Sequence, residues 1–326
     1  MSLRWFSILI TLIIIYLAVT QLNIPLILRS FLSAELNYIG FALVFWLLLI
    51  TIKSIKWQQM MRSLNSHIGL RESIRLLFIG LFISVATPGR LGDFARAYYV
   101  KDRLPIGKGI MAVLIDRAMD VFTLVVLATI GLAMLAQTKG VMLVSPFWSA
   151  GILLLLGVGT YFLLKRKWAR FFWSKGNRVL PRKYHAIIEK YGGQFYDAIP
   201  LLKRRTPHLL LAGMCTLFAW ACSITFGWFI LLSLGHALHW EVALLTIPAL
   251  ALMEIIPAGI LGIGTREVAA VIVLGAYSVS PESAIAFSLL YFALGYIPSF
   301  LLGAYFFNRH PFQMGKKYGW SHAPNL

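Results

Sequence analysis

Arginine and acidic residues cluster at three places in an otherwise apolar chain, beside two Gly- and Pro-containing turns and on one helix between them. An arginine and the free N–H groups of a broken backbone suit an anion such as a phosphate, and nearby carboxylates can hold the arginines or bind protons. Ionisable groups are expensive in apolar surroundings and by default indicate function. We expect these residues to bind a substrate: Arg90, Asp93, Arg96, Asp116, Arg117, Asp120, Glu254, Arg266 and Glu267.

The elements that position these charges are predicted by composition. The chain has 326 residues, of which 59% are hydrophobic and 13% charged, and its mean hydropathy is +0.78. A soluble protein of this length needs more polar surface. Apolar runs close to the ~20 residues that span a bilayer lie at 5–22, 38–52, 118–136, 147–164, 208–234 and 284–307. We therefore expect one all-α domain over residues 1–326, a polytopic membrane helical bundle in the cytoplasmic (inner) membrane.

The net charge of +18 is concentrated in one segment, residues 165–206. Lysine and arginine mark cytoplasmic loops of membrane proteins, so we expect this segment to lie against anionic headgroups rather than to bind nucleic acid. Its apolar residues recur at helical spacing, which predicts a surface helix. These are Ile188, Tyr191, Phe195, Ile199 and Leu202. By the same rule, the loop after the second membrane helix is expected to be cytoplasmic; its basic residues are Lys53, Lys56, Arg62, Arg71 and Arg75.

Two apolar segments are interrupted by turns. Residues 76–87 are too few to cross ~30 Å of hydrocarbon, which favours a re-entrant segment turning near residue 88. Residues 242–256 end at a second break, and such breaks in two halves are typical of inverted-repeat transporters. The halves are 1–164 (break near 87–93) and 207–310 (break near 257–266). The alternative to a true repeat is that the two Gly- and Pro-containing turns are similar by chance. The expected break residues are Pro88, Gly89, Gly92, Pro257, Gly259, Gly262 and Gly264.

Several charged residues also have purely structural interpretations. Asp116 and its neighbours could form a cluster at headgroup level. Arg96 could mark the cytoplasmic side or anchor lipid phosphates, and Glu254 could simply pair with Arg266. Whether 242–257 spans or re-enters, and hence the side of the C-terminus, stays open.

Enzyme signatures are sparse. The sequence contains no G-x-x-x-x-G-K-[ST] phosphate loop and no nucleophile elbow, and its histidines lack metal-ligand spacing. Cys215 and Cys222 lie about 10 Å apart along one helix, too far for a disulfide. We expect no catalytic residue, metal or cofactor, and a protein that moves or binds its substrate rather than converting it.

Three segments resemble the signature regions of the lysylphosphatidylglycerol synthase transmembrane, or flippase-like, family. They are "TPGRLGDFARAYYVKD", "VLIDRAMDVFTL" and "IIPAGILGIGTREVAAVIVL", and the resemblance covers about residues 5–307. It implies seven or eight membrane segments and association with lipid translocation between leaflets. Asp116 stands where glutamate is frequent in that family. Because the chain ends shortly after its last predicted helix, we expect a stand-alone membrane domain without the aminoacyl-transferase domain of some members.

Together these features predict a translocase for an anionic-headgroup lipid, either a phospholipid or a polyprenyl-linked sugar. In this hypothesis Arg90 and Arg266 contact the headgroup phosphate from opposite sides. The alternatives are a membrane-embedded transferase and an accessory subunit for lipid-linked glycan synthesis. Expected protein partners are a second copy of the chain or a separately encoded synthase.

Overall fold

The computed structural model describes residues 24–86, 92–140, 151–155, 157–159, 161, 165, 185–255 and 264–310. These residues form helices and turns, without a strand among them, as the all-α prediction requires. The helices are α1 (Ile24–Leu32), α2 (Leu36–Ser63), α3 (Leu70–Ala86), α4 (Ala95–Tyr99), α5 (Ile106–Lys139), α6 (His185–Tyr196), α7 (Ile199–Arg204), α8 (Thr206–Ser233), α9 (Trp240–Ile255), α10 (Thr265–Gly275) and α11 (Pro281–Arg309).

Four helices, α2, α5, α8 and α11, are long and apolar enough to cross a membrane. They confirm the runs at 38–52, 118–136, 208–234 and 284–307, whereas 5–22 and most of 147–164 lie outside the described residues. The expected loop after the second helix is much shorter than predicted, at residues 64–69, and its five basic residues lie in the helices on either side of it. Because no Gly or Pro interrupts residues 41–68, α2 continues to Ser63 and carries Lys53 and Lys56 within it.

Helices α2 and α8 end in the same way. After α2, the N–H of Asn65 donates to Arg62 and that of Ser66 to Met61, with Asn65 at φ 60°. After α8, the N–H groups of Gly235 and His236 make the matching bonds, with Gly235 at φ 81°. Both are Schellman motifs, in which a left-handed residue satisfies the last helical carbonyls.

The helix order of the first half recurs in the second half in opposite direction. Helices α8, α9 and α10 begin at 206, 240 and 265, each 170 residues after α2, α3 and α4 at 36, 70 and 95. Equivalent helices α2 and α8 lie antiparallel: the N–H of Glu35 donates to Ser233 O at one end (2.8 Å), and Arg205 donates to Asn65 at the other (2.8 Å). This arrangement is an inverted repeat of helices.

The second helix of each half packs against a helix of the other half. Phe82, near the end of α3, contacts Phe300 on α11 with ring centroids 5.1 Å apart. Reciprocally, Leu245, near the start of α9, packs with Leu135, near the end of α5. The second helix of each half therefore lies against the last helix of the other half, which binds the halves into one bundle.

Each short helix folds back on the helix that precedes it. A Cβ added to Gly92 would lie 2.0 Å from the backbone nitrogen of Ser84, so the chain reverses tightly after α3. In the second half, the hydroxyl of Thr265 donates to the carbonyl of Met253 (3.1 Å). At 17 and 16 residues, α3 and α9 are about 25 Å long, short of ~30 Å of hydrocarbon. Both halves thus contain a helical hairpin.

The segment that connects the halves packs on protein. Leu202 is buried, and Phe195 and Ile199 pack beside it against the cluster around Trp57 and Met60. The expected surface helix is therefore wrong in two respects: the segment forms two helices, α6 and α7, and the described part of its apolar stripe faces the first half. Its spacing indicates an apolar face but not which apolar surface that face meets.

The end of α11 is tied to the first half. The side chains of Arg75 and His310 contact each other at 2.9 Å, and the hydroxyl of Tyr99 donates to the carbonyl of His310 (2.8 Å). His310 therefore lies at the end of the bundle where α3 begins.

Candidate functional site

Lys56 is buried in the middle of a carboxylate pair. Its Nζ lies 3.0 Å from Asp116 Oδ1 and 2.6 Å from Asp120 Oδ1, and it also donates to the backbone carbonyl of Asp116 (3.0 Å). Asp116 and Asp120 are one turn apart on α5, so both reach the same point on α2. The lysine, 2% exposed, joins the two helices through charge-assisted hydrogen bonds.

Arg96 extends this contact to the hairpin of the first half. Its Nη2 lies 2.9 Å from Asp116 Oδ2 and 3.4 Å from Asp93 Oδ1, and its guanidinium stacks over Trp57 at 4.4 Å. Arg96 is 3% exposed, so it belongs to a buried ion-pair cluster and is not an exposed anchor at the membrane surface. Within the described residues its Nε has no hydrogen-bond partner.

Six charges of alternating sign follow one another through the first half. The order is Asp120, Lys56, Asp116, Arg96, Asp93 and Arg117, the last pair in direct contact. Both oxygens of the Asp116 carboxylate are used, one by Lys56 and the other by Arg96. Removing one member of a buried pair leaves the other charge uncompensated, at a cost of about 3–5 kcal/mol. The cluster therefore stabilises the packing of α2, α5 and the first hairpin, and it also provides charged groups that a ligand could bind.

A second, smaller cluster surrounds Arg266. This side chain is fully buried, with Glu254 and Glu267 at 3.5 and 3.6 Å, and it stacks over the ring of Phe292 at 4.7 Å. Among the described residues, none of its three guanidinium nitrogens has a hydrogen-bond partner. The Tyr296 hydroxyl lies 2.8 and 2.7 Å from the two Glu254 oxygens. The expected Glu254–Arg266 pair is present, but it is looser than the pairs around Asp116.

A cavity of about 410 Å³ lies between the two clusters. Its lining includes the six-charge chain together with Lys53 from the first half, and Glu254, Tyr291 and Tyr296 from the second half. Apolar side chains of α2, α3 and α5 complete it, including Leu49, Leu81 and Leu114. Both halves thus present polar groups to one space with apolar borders.

The repeat places Arg96 and Arg266 at equivalent positions, each the second residue of a short helix and 170 residues apart. The surrounding charges are not repeated. Lys56 corresponds to Phe226, and Asp116, counted from the start of its long helix, to Tyr291. Lys56 and Asp116 form a salt bridge, whereas their counterparts Phe226 and Tyr291 are in ring contact, with centroids 5.0 Å apart. One wall of the cavity is therefore ionic and the other mainly aromatic.

Most of the predicted site residues in the described part of the chain come together. Asp93, Arg96, Asp116, Arg117, Asp120 and Glu254 line the cavity, while Arg266 and Glu267 lie behind Glu254. The cluster is not confined to one helix, because it joins α2, the first hairpin and α5. Gly92 and Gly264 flank the two turns, Gly264 at φ 93°. Arg90, Pro88, Gly89, Pro257, Gly259 and Gly262 lie outside the described residues.

Sequence reasoning missed Lys56 and Tyr296. Lys56 was assigned to a loop because positive charge near a membrane helix usually marks its cytoplasmic end. The uninterrupted stretch from 41 to 68 was the signal that this helix continues past the lysine. No local signal points to Tyr296, whose role follows from the packing of α11 against α9 and α10.

A bundle with four span-length helices and buried charges around an interior cavity defines a polytopic integral membrane protein. The family model for the lysylphosphatidylglycerol synthase TM region matches residues 4–303, so the chain belongs to this family. The resemblance in the three quoted segments is thereby confirmed.

Individual relatives are distant. The chain is 24% identical to a UPF0104 membrane protein of Pyrococcus horikoshii, over 77% of this chain and 80% of that protein. It is 22% identical to a UPF0104 membrane protein of Methanocaldococcus jannaschii, over 90% and 91%. A shorter match, 29% identical over 126 residues, is to glycosyltransferase AglD of Haloferax volcanii and covers 37% of this chain but 20% of that protein.

Proposed function

We propose that this protein moves a lipid with an anionic headgroup between the leaflets of a cytoplasmic (inner) membrane. The observation that carries the proposal is the cavity of about 410 Å³, which has arginine and lysine side chains on one wall and apolar borders. A headgroup can be desolvated only where fixed charges replace its water, and acyl chains remain stable only against apolar surface. This cavity offers both conditions side by side.

The first arginine to contact the phosphate is Arg96. It is held by Asp116 and Asp93, and its Nε has no partner in the described part of the chain. A phosphate can bind this spare donor and then compete with Asp116 for the rest of the guanidinium. Lys56, already next to Asp116, neutralises the carboxylate that the phosphate displaces.

The second arginine is Arg266. It holds the equivalent place in the other half, behind the Glu254 wall. Arg96 and Arg266 therefore form the pair of arginines on opposite sides of the path, and Arg90 remains a predicted third contact. The inverted repeat supports this assignment because transporters of that design carry their substrate between equivalent elements of the two halves.

The test is a leaflet-accessibility assay in proteoliposomes with fluorescent anionic and zwitterionic lipids. We expect wild type to expose the anionic lipid to an external quencher, and both Arg96→Gln and Arg266→Gln to slow that exposure at least tenfold. Arg71→Gln is the matched control because Arg71 is exposed at the start of α3. Arg90→Gln tests the remaining predicted contact. Wild-type protein that moves none of these lipids would contradict the proposal.

A second candidate is a membrane-embedded transferase, or an accessory subunit for lipid-linked glycan synthesis. The observation that favours it is the similarity to 126 residues of a glycosyltransferase. Incubating the purified protein with labelled sugar donors, polyprenyl phosphate and divalent metal ions tests this candidate. Transfer that is lost in both Asp116→Asn and Asp120→Asn, in protein that moves no lipid, would favour the enzyme.

A further inference from the structure

We propose that the headgroup moved by this protein is a phosphate that bears a sugar ring, and that Trp220 binds this ring; the inference rests on the proposed function and names its substrate class. The starting point is how the two halves share the lining of the cavity. In the described part of the chain, the first half supplies every charged residue of the lining except Glu254. The second half supplies aromatic rings and the hydroxyl groups of Ser223, Tyr291, Tyr296 and Ser299.

A lining divided in this way fits a headgroup with two different ends. A bare phosphate would use the charged part of the cavity and leave the aromatic part without a ligand. The cavity volume of about 410 Å³ lies within the range of ~300–1,000 Å³ that encloses drug-sized ligands, so a ring has room beside the phosphate. A neutral, hydroxylated ring attached to the phosphate would therefore use both parts of the lining.

Trp220 on α8 is the aromatic residue best suited to bind such a ring. It lines the cavity, and within the described residues its indole has neither a hydrogen bond nor a ring contact. The four other tryptophans that the structure describes already have such contacts within the protein. Three donate their indole N–H to a protein oxygen and one stacks on Arg96; these are Trp46, Trp228, Trp240 and, in the stack, Trp57.

The groups that surround Trp220 suit the edge of a sugar. A sugar ring has C–H groups on its faces, which pack on the negative face of an indole, and hydroxyl groups around its edge. Those hydroxyls donate to carboxylates and exchange hydrogen bonds with other hydroxyls. One helical turn after Trp220, Ser223 lies 3.1 Å from the Tyr291 hydroxyl. The same cavity is lined by Glu254, whose carboxylate accepts from the Tyr296 hydroxyl at 2.7 Å.

A glycerol headgroup suits this part of the cavity less well. Glycerol could also bind the hydroxyl groups, but it is a flexible chain without a flat face and gains little from an indole ring. The aromatic side chain therefore favours a lipid phosphate that carries a sugar over phosphatidylglycerol. This difference is measurable with ligands that share the same tail and the same charge.

Calorimetric binding of short-chain lipids to the purified protein tests the sugar site. The two main ligands are citronellyl phosphates esterified with glucose or with methanol, so that both carry one negative charge. We expect wild type to bind the glucose ester about tenfold more tightly than the methyl ester. Trp220→Leu should abolish this preference. Trp240→Leu is the matched control, because Trp240 is exposed at the start of α9, and should retain the preference.

Nuclear magnetic resonance of the wild-type protein gives a second measurement that does not depend on how a variant folds. With nitrogen-15 in its tryptophans, the indole signal of Trp220 is the one that Trp220→Phe lacks. We expect the glucose ester to shift this signal more than the methyl ester does. A signal that responds equally to both esters would contradict contact between Trp220 and the sugar.

The outcomes separate the sugar site from lipid translocation. Equal affinity of wild type for the two esters, or a preference that persists in Trp220→Leu, would overturn the sugar site while leaving movement of anionic lipids in place. Tighter binding of short-chain phosphatidylglycerol than of the glucose ester would overturn it in the same way. A short-chain diacylglycerol phosphate carrying glucose distinguishes an isoprenoid from an acyl tail. Wild type that binds none of these lipids would contradict both the sugar site and the proposed function.

Discussion

Arg96 and Arg266 occupy the same position in two oppositely directed halves of the bundle, yet their surroundings differ. Arg96 is held by a 2.9 Å contact with Asp116 and stacks on Trp57. In the described part of the chain, the ion pairs of Arg266 are looser, at 3.5 and 3.6 Å, and its guanidinium stacks on Phe292. The repeated element is thus a buried arginine on a hairpin, and the first half adds a lysine and three aspartates to it.

Replacing Lys56 by methionine should strongly destabilise the protein. The change keeps the volume of the side chain but leaves Asp116 and Asp120 without their shared cation, at about 3–5 kcal/mol. Denaturant unfolding in detergent micelles measures the loss. Arg62→Met is the matched control, because Arg62 is partly exposed on the same helix, and should change stability by less than ~0.5 kcal/mol. Equal effects of the two substitutions would contradict the role of Lys56.

The two aspartates of α5 should differ in importance. Asp116→Asn weakens contacts to both Lys56 and Arg96, whereas Asp120→Asn leaves Lys56 bound to Asp116. We expect the loss of unfolding free energy for Asp116→Asn to exceed that for Asp120→Asn by at least about 1.5 kcal/mol. Thermal unfolding of both variants decides this, and a larger loss for Asp120→Asn would refute the central place of Asp116.

The antiparallel arrangement of α2 and α8 can be checked by cross-linking. In a background with Cys215 and Cys222 replaced by serine, the pairs Glu35→Cys/Ser233→Cys and Asn65→Cys/Arg205→Cys should each react with a short bis-thiol reagent. The pair Glu35→Cys/Arg205→Cys should not, because a 28-residue helix separates its members by about 42 Å. Gel mobility reports each product, and efficient cross-linking of the third pair would rule out the inverted order.

The first hairpin should depend on the absence of a side chain at Gly92. Its Cβ would lie 2.0 Å from the Ser84 nitrogen, a distance that no side-chain shift can relieve. Gly92→Ala should therefore prevent correct folding and reduce the yield of monodisperse protein on size exclusion. Gly69→Ala serves as the control, since a Cβ there meets nothing within 4 Å. Normal behaviour of Gly92→Ala would show that the hairpin turns elsewhere.

Local patterns predicted the membrane helices well because length and apolarity are properties of a single segment. The runs at 118–136 and 284–307 lie inside α5 and α11. Helix α11 extends only a few residues beyond its run, whereas α5 begins twelve residues before its run, at Ile106. The pattern at 188–202 was predictive only of an apolar face. Whether such a face meets lipid or protein depends on the neighbouring helices, and here Leu202 meets the Trp57 cluster.

The sequence predicted the acidic residues of the candidate site but not the basic residues that pair with them. Asp116 and Asp120 stand out because carboxylates are rare in this chain, while Lys56 was hidden among many basic residues that serve topology. Arg90 was paired with Arg266 because it adjoins a Pro-Gly turn. The equivalence of Arg96 with Arg266 depends on a spacing of 170 residues, which becomes visible only when whole helices are compared.

The contact of His310 with Arg75 and Tyr99 also determines how the protein can be equipped with a reporter. It places the exit of α11 at the end of the bundle where α3 begins, and the positive-inside rule predicts that this basic end faces the cytoplasm. We therefore expect a fluorescent protein fused after the last helix to mature inside the cell and become visible. An enzyme that requires an oxidising compartment would stay silent at the same position, so the choice of fusion partner follows from one side-chain contact.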